Sequence, residues 1–379
     1  MDKIAYIVGN VYSPNGMSNI LTAKINWLSE NTNYEIHMIL TERADLPWYY
    51  KISDKVKWVN FDINFDELDT MPIAKKIFVY RKKQKIYKKR LSDYLMQVKP
   101  TVTVSTIRRD INFINDIKDG SKKIGEIHFG RKNYRRVNFS FLPRLANNII
   151  TRIWDRMLIN QLSRLEKFIV LTETDYKEWA ELKNVCVIHN FIVTPPPSIS
   201  SLTQKKVIAV GRYTYQKGFD LLFDAWTIVN KKHPDWTIDI YGGGDNLSYR
   251  TLARQKGIET SVSCNPAVND INRRYSDHSI FVLSSRYEGL PLVLIEAMSA
   301  GLACVAFDCP CGPYDILEGG EDGLLVENGN TDKLADAICV LIENESLRQE
   351  KGEKALKRSK DFEKETIMHQ WYELFKSLM

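Results

Sequence analysis

The feature that most limits what this chain can fold into is a repeated alternation. Short apolar runs bounded by turn-forming residues alternate with stripes at helical spacing. Lys3–Val8 is such a run and stops at Gly9. After the Pro14-Asn15-Gly16 loop, Ser18–Leu28 carries Ile20, Leu21, Ala23, Ile25 and Leu28 on one helical face. Further runs follow at Tyr34–Leu40, Thr101–Ser105, Lys123–Ile127, Phe168–Leu171 and Val185–Ile188, and the longest helical stretch is expected at about Leu142–Leu165. Continuous apolar runs separated by helices predict parallel strands buried on both faces, joined by crossover helices.

Residues 192–206 (IVTPPPSISSLTQKK) break the pattern with three consecutive prolines and small polar residues, the composition of a linker. The alternation then restarts. Strands are expected at Val207–Val210, Trp236–Tyr241, Ile280–Ser284 and Ala303–Phe307, and helices at Phe219–Val229 and Pro291–Ala300. An amphipathic tail helix is expected over Glu363–Met379. The predicted fold class is α/β: residues 1–190, a linker at 191–206, residues 207–360, and a terminal helix at 361–379 packing back on the first domain.

A length of 379 residues suits two such domains, and 44% hydrophobic with 26% charged residues excludes a disordered or fibrous chain. No apolar run approaches the 18 residues of a membrane span, and the N-terminus reads as a buried strand rather than a leader. The six cysteines all lie from Cys186 onward, and Cys309-x-Cys311 lacks the second pair of a zinc site. Neither disulfides nor a metal are expected.

Two segments carry the chemistry. Ser284–Gly301 leaves a strand, turns at Glu288-Gly289 and enters a helix whose first-turn N–H groups form a ready anion site. Glu296, eight residues after Glu288, sits among apolar helical neighbours, where a carboxylate needs hydrogen-bond donors such as ribose hydroxyls. Gly211-Arg212-Tyr213-Thr214-Tyr215-Gln216-Lys217-Gly218 also runs from strand to helix. Arg212 and Lys217 can converge there on one diphosphate, as a planar fork and a point charge.

The G-R-x4-K-G loop, the Glu288/Glu296 pair and the downstream runs 308–317 and 319–326 resemble the retaining GT-B-fold glycosyltransferases of family four (glycosyl transferases group 1), of the bacterial surface-polysaccharide type. The resemblance implies two Rossmann-like domains facing a central cleft. It also implies a hexose or N-acetylhexosamine moved from a UDP-sugar to a glycan acceptor, with no cofactor or metal. Arg212 and Lys217 are then expected on the diphosphate, Glu296 on the ribose and Glu288 beside the transferred sugar. Backbone N–H groups over Leu290, Pro291 and Leu292, after Gly289, would cap the β-phosphate. Gly242–Gly244, with Gly243 at its centre, and Cys264-Asn265-Pro266 would border the uracil. In the first domain, Gly16 would approach the donor phosphates, and His128, at the end of the Glu126–Phe129 strand, would lie near the donor sugar. Glu288 is open to three readings: positioning the sugar in a front-face reaction, acting as nucleophile, or serving the turn structurally.

Charge adds a partner. Residues 1–190 hold 32 Lys+Arg against 21 Asp+Glu, whereas residues 191–379 hold 21 against 26. Residues 75–90 contain nine cations and no acid, mixed with Ile77, Phe78, Val79, Tyr80, Ile86 and Tyr87, and Arg131–Arg136 forms a second cluster. A solvated helix face is the simplest reading, and no nucleic-acid module appears. The favoured reading is an anionic membrane surface, with peripheral attachment to the cytoplasmic inner face and a lipid-diphosphate-linked acceptor. Competing functions are a GT-B UDP-N-acetylglucosamine epimerase, a non-catalytic nucleotide-sugar-binding protein and a transferase with a soluble acceptor.

Overall fold

The computed structural model describes residues 1–12, 15–131, 134 and 144–379. Pro14 of the first loop and Lys132, Asn133, Arg135 and Arg136 of the second basic cluster lie outside the described residues.

The chain forms two compact units. Unit 1 comprises Met1–Leu171, Asp175–Ile188 and Met368–Met379. Its strands are β1 (Lys3–Val8), β2 (Glu35–Leu40), β3 (Lys57–Asn60), β4 (Val102–Ser105), β5 (Lys122–Glu126), β6 (Lys167–Val170) and β7 (Val185–Val187). They make one parallel sheet in the order β3-β2-β1-β4-β5-β6-β7, with Lys3 opposite Glu35 and Ile4 opposite Val102. Helices α1 (Gly16–Asn31), α2 (Ile73–Val98) and α3 (Arg144–Leu162) accompany it. At 26 residues, α2 exceeds the 19 of α3, so among the described residues the longest helix is the basic segment rather than the 142–165 stretch.

Unit 2 comprises Thr172–Thr174 and His189–Ile367. Its strands are β8 (Lys206–Val210), β9 (Thr237–Gly242), β10 (Val262–Pro266), β11 (Ile280–Leu283), β12 (Ala303–Asp308) and β13 (Leu324–Glu327). Their parallel order, β10-β9-β8-β11-β12-β13, repeats the β3-β2-β1-β4-β5-β6 pattern of unit 1. In such a doubly wound sheet the chain reverses direction between two central strands, and the crevice beyond their carboxyl ends is where ligands bind. These switch points lie between β1 and β4 and between β8 and β11.

The strands at the middle of each sheet are largely buried, as parallel strands covered on both faces must be, whereas burial alternates along β9, next to the edge. The strands that the sequence does not announce are β3, β10 and β13. Each is an edge strand with exposed or half-buried positions and therefore no continuous apolar run.

The proline-rich stretch is not a free linker. Ile192 donates its amide to Phe362 at 2.9 Å, and the Ser200 amide bonds Ala300 at 2.8 Å. Leu202 is buried, so residues 191–206 belong to unit 2. The last helix, α8 by chain order after α4 (Phe219–Lys232), α5 (Leu292–Ser299), α6 (Thr331–Glu343) and α7 (Glu345–Ser359), runs from Lys364 to Leu378. Its Met368–Met379 portion packs in unit 1, with Trp371 and Phe375 buried and the Phe375 ring edge-on to Tyr6 at 6.4 Å.

Candidate active site

In unit 2, two loops leave the switch-point strands β8 and β11 and fasten to each other. The first passes Gly211 and Arg212, makes one tight turn over Tyr215–Lys217 and enters α4 through Gly218. Gly218 has φ +64°, and a β-carbon there would lie 2.1 Å from the Ser284 carbonyl oxygen. Only glycine permits both the left-handed backbone and that approach. The approach is then pinned: Ser284 Oγ donates to the Lys217 carbonyl at 3.0 Å, and the Arg286 amide donates to Gln216 at 2.8 Å.

The pinned loops bring Lys217 against Glu288. The ammonium lies 2.7 Å from Oε1, and both side chains are largely buried. Gln216 supports the turn, donating to the Tyr287 carbonyl at 3.0 Å with the same Nε2 lying 3.5 Å from Glu288 Oε2. Glu296 projects from α5, where the Tyr275 hydroxyl donates to it at 3.1 Å. Burial pushes the Glu296 carboxyl up, while that hydrogen bond and the Lys217 charge pull it back. The two glutamates and the lysine thus form one electrostatic group at the carboxyl edge of the sheet.

A brace absent from the sequence reading holds this loop. Arg286 grips Asp220 with both terminal nitrogens, at 2.8 and 2.6 Å, and its guanidinium lies 3.9 Å over the Tyr215 ring. The hydrogen bonds and charge of Arg286 hold the Asp220 carboxyl below its usual range. An arginine 66 residues beyond an aspartate at a helix start has no spacing signature.

Arg212 is not part of the buried group. Its side chain is exposed and forms no ion pair among the described residues. Nor does the whole 290–292 stretch supply amides, because Pro291 has no N–H. Gly289, Leu290 and Leu292 do precede or open the first turn of α5. Gly243 faces open space, with its carbonyl accepting from the Tyr213 amide at 2.8 Å. Asn265 turns its amide toward Ser263 and uses its backbone carbonyl to accept from the Tyr213 hydroxyl at 2.9 Å. Tyr213 therefore links the Gly242–Gly244 turn to β10.

Unit 1 holds the remaining predicted residues. Gly16 is the exposed first residue of α1, behind Asn15, whose side chain caps the Ser18 amide at 2.9 Å. His128 is nearly buried, with Nε2 3.2 Å from Glu126 Oε1. Neither ring nitrogen, nor Glu126 Oε2, finds an aligned hydrogen-bond partner among the described residues. Glu126 also pairs with Lys24, both almost wholly excluded from solvent. Burial alone would raise the Glu126 carboxyl, but the charges of Lys24 and His128 bring it down to about 2. Burial draws the Lys24 ammonium down despite its partner, so each charge persists because the other is there. At the switch point between β1 and β4 lies a cavity of about 330 Å³, lined by Gly9, Thr41, Phe65, Thr106, Arg108 and Arg109 among others.

Residues 195–358 match the family model of glycosyl transferases group 1. An uncharacterized glycosyltransferase of Haemophilus influenzae is 28% identical over 98% of this chain and 99% of its own length. The amylovoran biosynthesis glycosyltransferase of Erwinia amylovora is 33% identical over 55% of this chain and 62% of its own length. The poly(ribitol-phosphate) alpha-N-acetylglucosaminyltransferase of Staphylococcus aureus is 30% identical over 59% of this chain and 46% of its own length. The chain thus spans less than two thirds of those two relatives. Among solved structures, sucrose-phosphate synthase from Thermosynechococcus elongatus has a TM-score of 0.79 at 16% identity, covering 100% of this chain and 99% of that one. TarM of S. aureus, solved with UDP, has a TM-score of 0.74 at 18% identity over 99% of this chain and 100% of its own. The doubled sheet is the GT-B fold of these solved structures, and the motif loops at its second switch point fall within the stretch that matches the glycosyl transferases group 1 model.

Proposed function

We propose that the chain is a retaining transferase that moves a hexose or N-acetylhexosamine from a UDP-sugar to a glycan acceptor in surface-polysaccharide synthesis. The observation that carries this reading is the Lys217–Glu288–Glu296 group beside the α5 N-terminus. When the sugar C1–O bond breaks, negative charge gathers on the UDP β-phosphate. Cations and helix N–H groups already oriented there stabilise that charge without reorganising, which is the largest contribution many enzymes make. Lys217 supplies a fixed charge and Arg212 a free planar fork. Glu296 binds the ribose, with Tyr275 saturating one of its oxygens. Glu288, neutralised by Lys217, positions the sugar while the acceptor hydroxyl attacks the face the diphosphate leaves and passes its proton to the departing phosphate oxygen. The ion pair supports that role over a free nucleophile. We assign His128 to the donor sugar on the resemblance, and the cavity between β1 and β4 to the acceptor.

The relatives support the substrate classes. Two are named for amylovoran and poly(ribitol-phosphate), and TarM and the Anabaena protein HepE were solved with UDP. We further propose peripheral attachment to an anionic membrane and a lipid-diphosphate-linked acceptor. No helix among the described residues is long and apolar enough to cross a membrane. Of the α2 cations, Lys76, Lys83, Lys88 and Lys89 are paired with Asp69, Glu67, Asp116 and Asp93. Lys75, Arg81, Lys82 and Lys85 are exposed and form no ion pair among the described residues, leaving them for phosphate headgroups.

A donor panel tests the reading. UDP-GlcNAc, UDP-GalNAc, UDP-Gal, UDP-Glc and GDP-mannose are compared by thermal shift and slow nucleotide release. A true donor at a hundredfold excess over Kd stabilises the fold by about 2.7 kcal/mol. One UDP-sugar should stand out. A response to GDP-mannose alone, or to no donor, overturns the proposal.

A further inference from the structure

Helix α3 carries an apolar face that the described residues of unit 1 leave uncovered. None of the described side chains from Ala146 to Gln161 is buried, and Ile149, Ile153, Trp154 and Met157 are 51, 53, 49 and 63% exposed. At 100° per residue, Ala146, Ile149, Ile150, Ile153, Trp154 and Met157 fill an arc of about 140°. Asn148 and Asp155 occupy the opposite side, with Arg152 and Arg156 between them and the Ile149 edge of the arc. A soluble surface rarely shows so much apolar side chain in one place without a partner.

We propose that α3 is a membrane-insertion element whose Ile149–Met157 face enters the headgroup layer of an anionic bilayer. The inference rests on the membrane-attachment reading above and adds the residues that penetrate. Charge selects lipid over a second protein. Arg152 and Arg156 flank the apolar arc and are exposed. Helix α2 adds Lys75, Arg81, Lys82 and Lys85, interleaved with Ile77 and Phe78 at 52 and 72% exposure.

The two helices bracket the same turn. Asn112 donates to the α2 hydroxyl of Tyr80 at 3.0 Å, and Asn115 donates to the α3 carbonyl of Gln161 at 2.9 Å. Asp116 reaches both Lys88, at 3.6 Å, and Arg164, just past α3, at 2.9 Å. Cations around an apolar arc containing a tryptophan are the composition of a helix lying in the interface plane. The bracketed turn includes Asp110, and α2 supplies Tyr87, both of which line the switch-point cavity. An acceptor anchored in the same bilayer would meet that cavity beside the docked helices.

The test is sedimentation of the full chain with phosphatidylcholine vesicles, with and without phosphatidylglycerol. It compares wild type, Ile153→Asp/Met157→Asp and Lys82→Glu/Lys85→Glu, with thermal unfolding and sedimentation velocity as controls. Wild type should bind the anionic vesicles and lose only part of that binding in high salt. The α3 variant should fold normally yet partition at least about tenfold more weakly, while the α2 variant loses the salt-sensitive part. Brominated lipid should quench tryptophan fluorescence in wild type and less so in Trp154→Phe. If wild type ignores anionic vesicles, membrane attachment itself is wrong. If wild type binds and the α3 variant binds equally, α2 alone makes the contact and the insertion of α3 is overturned. A dimer that the α3 substitutions dissociate, with vesicle binding unchanged, would assign the face to a second copy and also overturn it.

Discussion

Lys217 and Glu288 stand 71 residues apart in the chain, yet their charged atoms lie 2.7 Å apart at the carboxyl edge of one sheet. The contact is made by two loops from neighbouring strands, joined where Gly218 lets the chain pass against the Ser284 carbonyl. It separates two cations that sequence alone treats as equivalent: Lys217 is committed to a carboxylate, and Arg212 stands free.

That difference gives the two cations distinct mutational signatures. Arg212→Ala removes an exposed, unpaired guanidinium, so the melting temperature should hold. Turnover should fall at least a hundredfold, in line with the about 2.7–4 kcal/mol lost with one preorganised charge-stabilising group. Lys217→Ala should lose at least as much turnover and also destabilise the fold by about 3–5 kcal/mol, because Glu288 is left buried and unpaired. Steady-state kinetics beside urea unfolding separates the two. An Arg212→Ala enzyme within tenfold of wild type removes Arg212 from the diphosphate.

The candidate site was legible where chemistry sits at fixed spacing inside one segment, as with Glu288 and Glu296, whereas Arg212 and Lys217, close in sequence, part company in the fold. It was not legible where partners come from distant segments. Arg286 with Asp220 and Tyr275 with Glu296 are chosen by the way the sheet closes, and no local pattern encodes them. Lys24 did leave a trace, a cation within the apolar stripe of α1, but its meaning depends on Glu126 about a hundred residues later. The fold divides the same way. Central strands announce themselves because both faces are buried, whereas β3, β10 and β13 at the edges do not. The prolines of 195–197 suggested a free linker, although the flanking segment is hydrogen-bonded into unit 2.

Gly218→Ala tests the join between the loops. A non-glycine residue at φ +64° costs about 1–3 kcal/mol by itself. Here the added methyl would also lie 2.1 Å from a backbone oxygen that cannot retreat without opening β11. The variant should lose more than the backbone cost alone and bind UDP weakly, because Lys217 and Glu288 no longer meet. Calorimetric unfolding with UDP titration measures both, and normal UDP affinity would show that the join is not needed for the site.

The Lys24–Glu126 pair makes a prediction in pH. The Glu126 carboxyl sits at about 2 in the fold against an ordinary 4.5, so the folded state favours its ionised form. Its contribution to stability is complete above about pH 4.5 and is lost as pH falls toward 2. Lys24→Met should cost about 3–5 kcal/mol at neutral pH by stranding a buried carboxylate. Lys24→Met/Glu126→Gln, which removes both charges, should recover much of that and flatten the acid limb. Urea unfolding across this pH range decides the matter: an unchanged acid limb in the double variant places the acid sensitivity elsewhere.

Trp371 ties the terminal helix to the same buried group. Its ring lies 3.7 Å from the Lys24 ammonium, its side chain is 1% exposed, and Phe375 follows one turn later against Tyr6. Trp371→Ala therefore removes a large core side chain and a cation–π contact together. A loss of about 3–5 kcal/mol is expected from the cavity. The desolvated cation contact adds up to about 2 kcal/mol. Trp371→Phe keeps an aromatic face over Lys24 and should retain more stability than Trp371→Leu, although both leave a smaller side chain. If leucine proves equal to phenylalanine in thermal unfolding, Lys24 gains nothing from the ring. The helix is then held in unit 1 by apolar burial alone.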